Sequence, residues 1–93
     1  MDLKQLNYFT AIVDEGSISA AAKKLHISQP PLSTQMKSLE SELGVILFER
    51  GLRSITLTDA GKLMYERAKA ILDMASVTKM EIDSLGNRLR GKL

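Results

Sequence analysis

Cysteine and tryptophan are absent from this chain, histidine occurs once, and proline, phenylalanine and tyrosine occur twice each in 93 residues. Each shortage closes a route. Without Cys there is neither a disulfide framework nor a thiolate metal site, and the single His26 has no second imidazole with which to build a zinc site. So few rings cannot make the stacking platform that grips single-stranded nucleic acid, and they leave the core to Leu, Ile, Val, Met and Ala. No apolar run nears the roughly 20 residues of a membrane span. The opening MDLKQLNYF lacks the basic and apolar regions of a secretory signal, so a cytoplasmic protein is expected. There is no glycine-rich phosphate loop, paired carboxylates or nucleophile-base arrangement, which argues against an enzyme and against a bound cofactor.

What remains is the composition of one compact domain, 44% hydrophobic and 26% charged. The net charge of +2 is too small to advertise a nucleic-acid binder. Residues 1–57 balance six cations (Lys4, Lys23, Lys24, Lys37, Arg50, Arg53) against six anions, and the excess lies in 58–93, with seven cations against five anions.

The pattern along the chain is helical. Asp2 with Gln5 resembles a capping pair, and Leu3, Leu6, Phe9, Ile12 and Val13 recur at helical spacing, which predicts a helix over about 3–15 ended by Gly16. Ser17 is a good N-cap for a short helix over 18–25 with Ile18, Ala21, Ala22 and Leu25 inward. His26 then suits a turn, because His tolerates a left-handed backbone better than most residues. In the next segment, HISQPPLSTQMKSLESELG, two prolines are tolerable only in a first helical turn, whose N–H groups have no internal acceptor. Because a residue before proline is pushed out of the α region, the prediction places Pro30 near the N-cap, Pro31 at the first helical position, and Ser28 and Gln29 outside the helix. Leu32, Met36, Leu39 and Leu43 form its buried stripe, and Gly44 stops it. The opposite face shows Gln29, Ser33, Thr34, Lys37, Ser38 and Ser41, short polar groups with one cation where an ordinary solvated face carries more Glu and Lys.

Val45 to Phe48, a Gly-containing turn and Ile55-Thr56-Leu57 then read as a hairpin with two arginines near its tip. Thr58-Asp59 starts a last helix in which Met64, Ala68, Ile71, Ala75, Thr78, Ile82, Leu85 and Leu89 alternate four and three apart. Such a helix is too long for a small domain to cover. Leu63, Ala70, Met74 and Val77 widen the stripe, so one edge is expected to pack on the first helix and the other on a second chain, giving a homodimer. The basic end after Leu89 reads as a fraying helix or the start of a hinge.

With these elements in place, FTAIVDEGSISAAAKKLHISQPPLSTQMKSLESELGVILFERG and LTDAGK carry a resemblance to the N-terminal DNA-binding region of the LysR-type transcriptional regulators, extending over essentially the whole chain. The resemblance implies a mainly α fold. A winged helix-turn-helix of three helices and a two-stranded β-hairpin wing would occupy 1–58, with its helix-turn-helix core at 18–37 and its wing at about 45–57. A linker and dimerisation helix would follow at 59–89, and a hinge would begin at 90–93. It further implies sequence-specific binding of double-stranded DNA, with helix 31–43 in the major groove and the wing on backbone or minor groove. Carried across, Ser28, Gln29, Pro30, Pro31, Ser33, Thr34 and Lys37 would face DNA from the helix, and Arg50 and Arg53 from the wing. Family members often carry arginine where this chain has Thr34, which removes a phosphate or guanine contact, and proline where it has Ile46, which alters the path into the wing. The family's larger effector-binding domain is not in this chain. The expectation is therefore a fragment, with any small-molecule effector bound C-terminal to it, and with pairing of dimers into tetramers open in the full-length protein.

On residue types alone a capped helix with a solvated face is at least as good a reading, and arginines at an exposed hairpin tip are usually just solvated. The rival function is a helical dimer whose polar helix contacts another protein, and the even charge of 1–57 favours it slightly. The salt dependence of binding separates the two, since phosphate contacts release counterions and protein contacts of this kind do not.

Overall fold

The computed structural model describes residues 1–51 and 54–90. In chain order it consists of α1 (Leu3–Glu15), α2 (Ile18–Leu25), α3 (Gln29–Leu43), β1 (Phe48–Arg50), β2 (Ile55–Leu57) and α4 (Asp59–Leu89). The strands pair antiparallel, Phe48 opposite Leu57 and Arg50 opposite Ile55. Arg53, the second wing arginine, and residues 91–93 of the expected hinge lie outside the described residues. Among those described, no helix is long and apolar enough to cross a membrane.

Local chemistry accounts for the helix ends. Asp2 accepts from the Gln5 backbone N–H at 2.8 Å while the Gln5 side chain accepts from the Asp2 N–H, a reciprocal capping box. Gly16 closes α1 in the left-handed region at φ 87°. Ser17 caps α2 through the Ala20 N–H, and His26, at φ 59° and ψ 40°, closes it. The Ile27 N–H reaches back to Ala22 O at 3.0 Å, so α2 and α3 are joined by a turn too short to swing.

The core lies where α1, α2 and α3 meet. Phe9, Ile12, Leu32, Met36, Leu39 and Leu47 are fully buried there, each worth about 1.5–3 kcal/mol of burial. Phe48 carries the wing into this core, its ring 6.2 Å from that of Phe9. The far strand is tied as well, since the Ile55 N–H donates to Gly16 O at 3.0 Å.

Several expectations are corrected. Helix α3 begins at Gln29, two residues before the predicted start, with Ser28 as N-cap and both prolines inside the first turn. The restriction before proline is a bias rather than a bar, and the first turn is where prolines cost a helix no internal hydrogen bond. Leu43 is partly exposed rather than buried. Val45 and Ile46 are exposed and outside the ladder, so the first strand starts only at Phe48.

The reason for the late strand is that the backbone before it is already committed. The buried Glu40 carboxylate accepts the Leu47 N–H at 2.7 Å, and the Glu40 carbonyl accepts the N–H groups of Gly44 and Val45. From the other side, Thr58 donates its N–H to Leu47 O at 3.1 Å and its hydroxyl to Ile46 O at 2.6 Å, while that hydroxyl accepts the Gly61 N–H at 3.0 Å. Gly61 lies so close that a Cβ there would fall 1.9 Å from Leu47 O.

Helix α4 crosses α1 with its first turns only. Ala68, expected in the outer stripe, is fully covered within its own chain, whereas Met64 packs against the core on one side and stays half-exposed on the other. At the end of this contact the Tyr65 hydroxyl donates to Asp14, and the Lys69 ammonium donates to the Tyr65 oxygen at 3.3 Å. The hydrogen bond to Tyr65, then the charges of Tyr65 and Asp14, raise the Lys69 pKa above its ordinary value. Beyond this point the helix continues alone, giving the molecule a 55 Å long axis against 26 and 19 Å.

The junction at Leu47 yields a prediction. Gly61→Ala should destabilise the chain by about 2–3 kcal/mol although alanine favours helices, because the backbones must separate. Glu40→Ala, which strands the Leu47 N–H, should cost about 1–3 kcal/mol, and Glu40→Gln less. Urea unfolding midpoints measure both, and a Gly61→Ala chain as stable as the parent would contradict the close approach.

Candidate nucleic-acid interface

The surface of interest is built by the two prolines. An N-cap serine ordinarily accepts a hydrogen bond from the N–H of the second or third helical residue. In α3 those residues are Pro30 and Pro31, which have no N–H, and Ser28 accordingly makes no side-chain cap. Its hydroxyl stays exposed with both its donor and its lone pairs unspent on the helix. The same substitution clears Gln29 of backbone donors in its own turn. An exposed apolar ledge, Pro30-Pro31, lies beside these polar groups.

Down the helix, Thr34, Lys37, Ser38 and Ser41 are exposed and Ser33 is half-buried, opposite the fully buried Leu32, Met36 and Leu39. Gln29 to Lys37 spans about 12 Å at ~1.5 Å per residue, close to the width of the B-DNA major groove. Short side chains on this face let the backbone approach whatever it meets.

The wing joins the surface at the α3 N-terminus. Ser17, the N-cap of α2, Ser19 in its first turn, Gln29 of α3, and Arg50 and Ser54 of the wing line a cleft of about 300 Å³. The Arg50 guanidinium sits 5.1 Å from the centre of the Phe48 ring, worth about 0.5–1 kcal/mol at an exposed site. Through that ring the wing cation is referred to the core. The structure thus brings Gln29 and Arg50 to one cleft and sets Ser33, Thr34 and Lys37 along one helix.

Some residues that shape this surface escape the sequence patterns. Glu40 had a weak signal, since it falls four residues after Met36 on the buried side. The Gln5 amide, itself buried, donates to Gln35 Oε1 at 3.2 Å and pins the middle of α3 to α1. Ser19 donates its hydroxyl to Gln29 Oε1 at 3.3 Å. Nothing in the spacing marks either pair, because the partners are distant in sequence.

On α4, Ile71, Thr78, Ile82, Leu85 and Leu89 are exposed and Ala75 half-buried, with Met74 65% and Met80 62% exposed beside them. Such a row of exposed large apolar groups is a surface that water does not favour.

Comparison with known proteins places these features. The family described as "Bacterial regulatory helix-turn-helix protein, lysR family" matches residues 3–62. The chain is 46% identical over 80 residues to the HTH-type transcriptional regulator ClcR of Pseudomonas putida, an alignment covering 86% of this chain and 27% of that protein. It is 47% identical over 94 residues to the HTH-type transcriptional regulator BsdA of Bacillus subtilis (strain 168), covering 100% of this chain and 32% of that protein. The chain therefore spans about a third or less of the length of these curated relatives. In structure it is similar to the crystallised CbnR_DBD-DNA complex, with a TM-score of 0.89, 44% identity, and coverage of 92% of this chain and 99% of that one.

The prolines' effect on Ser28 can be measured. Ser17→Ala, which removes a working cap, should cost about 1 kcal/mol. Ser28→Ala, at an N-cap with nothing to cap, should leave stability unchanged within about 0.5 kcal/mol. Equal losses in thermal unfolding would show that Ser28 supports the helix after all.

Proposed function

The chain belongs to the lysR family of bacterial regulatory helix-turn-helix proteins, and on that premise we propose that it is the DNA-reading part of a dimeric transcriptional regulator. Helix α3 enters the major groove, the wing rests on the backbone or in the minor groove, and α4 pairs with a second copy. The observation that carries this reading is the polar, short-chained face of α3, held outward by a core that buries its other side completely. A relative with the same architecture has been crystallised on DNA, which supports the same use here.

In this reading Ser28, Ser33 and Thr34 exchange hydrogen bonds with phosphates or base edges, and Gln29 reads a base edge. Pro30 and Pro31 offer rigid apolar contact to sugars or thymine methyls. Lys37, Arg50 and Arg53 neutralise phosphates. The unit 1–58 reads, and 59–89 pairs through Ile71, Ala75, Thr78, Ile82, Leu85 and Leu89. A two-fold dimer reads an inverted repeat whose half-sites lie whole helical turns apart. Any small-molecule effector binds outside this chain, in the cytoplasm. The relatives are named as transcriptional regulators, which supports a role without catalysis.

Selection of bound sites from a random duplex library tests binding and specificity together. Gln29→Ala should relax preference at one base pair per half-site, a loss of about 1–3 kcal/mol of discrimination there. Arg53→Ala should instead weaken all sequences alike and make the slope of log K against log salt shallower by about 0.9. Identical effects from the two would contradict the assigned roles, and a salt-independent affinity would favour the protein-contact rival.

For the helix, Ile82→Glu should give a monomer at micromolar concentration in sedimentation. It should lower affinity for a paired site by about 100-fold or more while sparing affinity for a single half-site. A parent chain that sediments as a monomer would remove the paired-site expectation.

A further inference from the structure

We infer that Ser19 sets what Gln29 reads, by holding its amide so that the nitrogen and not the oxygen is presented to the base pair. This rests on the DNA-reading function proposed above. The geometry is specific: the Ser19 hydroxyl, in the first turn of α2, donates to Gln29 Oε1 at 3.3 Å across the corner between α2 and α3. The glutamine side chain is exposed, and the Ser19 hydroxyl is the hydrogen-bond partner it has among the described residues.

Three features make this contact decisive for an exposed pair. The neighbouring Ser17 hydroxyl is already occupied as the α2 cap, so Ser19 is the serine free to turn toward α3. The two residues after Gln29 are prolines, so its oxygen finds no backbone N–H in its own turn. Arg50, the cation that lines the same cleft, lies over the Phe48 ring.

A glutamine amide is planar, and anchoring its oxygen on α2 turns its two N–H bonds away from α2. An unconstrained glutamine pairs with adenine by accepting from N6 and donating to N7, which needs the oxygen. A glutamine presented by its nitrogen has only donors to offer. It therefore favours the base with two acceptors on its major-groove edge, guanine with N7 and O6. Ser19 need not touch DNA for this; it is a positioning residue that chooses between two readings of one side chain.

The test uses site selection and titration with Gln29→Ala, Ser19→Ala and Ser19→Thr. The base pair at which Gln29→Ala loses its preference identifies the position read. There the parent and Ser19→Thr, which keeps the hydroxyl, should favour guanine over adenine by about tenfold. Ser19→Ala should lose or invert that preference, leave every other position unchanged and alter affinity for unrelated duplex less than about twofold. The double variant with Gln29→Ala should match Gln29→Ala alone. A parent that prefers adenine at that position, a Ser19→Ala chain that keeps guanine, or a uniform loss across all positions would each overturn the inference, the last by making Ser19 a phosphate contact. If the parent enriches no sequence at all, it is the DNA-reading function itself that fails.

Discussion

One residue, Leu47, holds the working parts of this molecule in register through both of its backbone polar groups. The Leu47 N–H is bound by the carboxylate of Glu40 near the end of α3, and the Leu47 carbonyl by the N–H of Thr58 at the head of α4. The bare Gly61 lets α4 lie against it with no side chain between. Both hydrogen bonds are partly or wholly shielded from water, where an unpaired group is expensive, so the junction has little freedom to slip. Its consequence reaches further than local stability. A dimer formed along α4 fixes the separation of its two α3 helices only if α4 and α3 are rigidly joined, and they are joined here.

The prolines play a comparable double part at the other end of α3. They start the helix at no loss of internal hydrogen bonds, since the first-turn N–H groups have no acceptor within it. They also withdraw from that turn the donors that would engage the Ser28 hydroxyl and the Gln29 oxygen. A helix start with ordinary residues would be capped and chemically quiet. This one leaves the Ser28 hydroxyl free of the helix and the Gln29 oxygen to Ser19, on a stiff backbone beside the wing, which is what a reading surface needs if its side chains are to meet a partner without first being ordered.

Much of this was legible in one dimension. Asp2 with Gln5, Gly16, Ser17, His26, Gly44 and Thr58 mark helix ends through interactions within four residues of themselves, and all act where the pattern placed them. The stripe Leu32, Met36, Leu39 is read from period alone and is buried as expected. The misreadings have a common cause. Val45 and Ile46 look like strand, yet the backbone beside them is spent on Glu40 and Thr58. Ala68 fits the outer stripe of α4, yet it is fully buried within its own chain. In each case a partner distant in sequence outbid the local pattern.

The sequence by itself therefore determined the helices, their ends and the polar character of one face, because these follow from short-range hydrogen bonding and from periodicity. Tertiary structure alone decided which stretch of α4 is covered, how the wing is moored through Phe48, and that Ser19 meets Gln29. Those depend on which surfaces fold against each other, and no spacing along a chain encodes the distance between residues that only packing brings together.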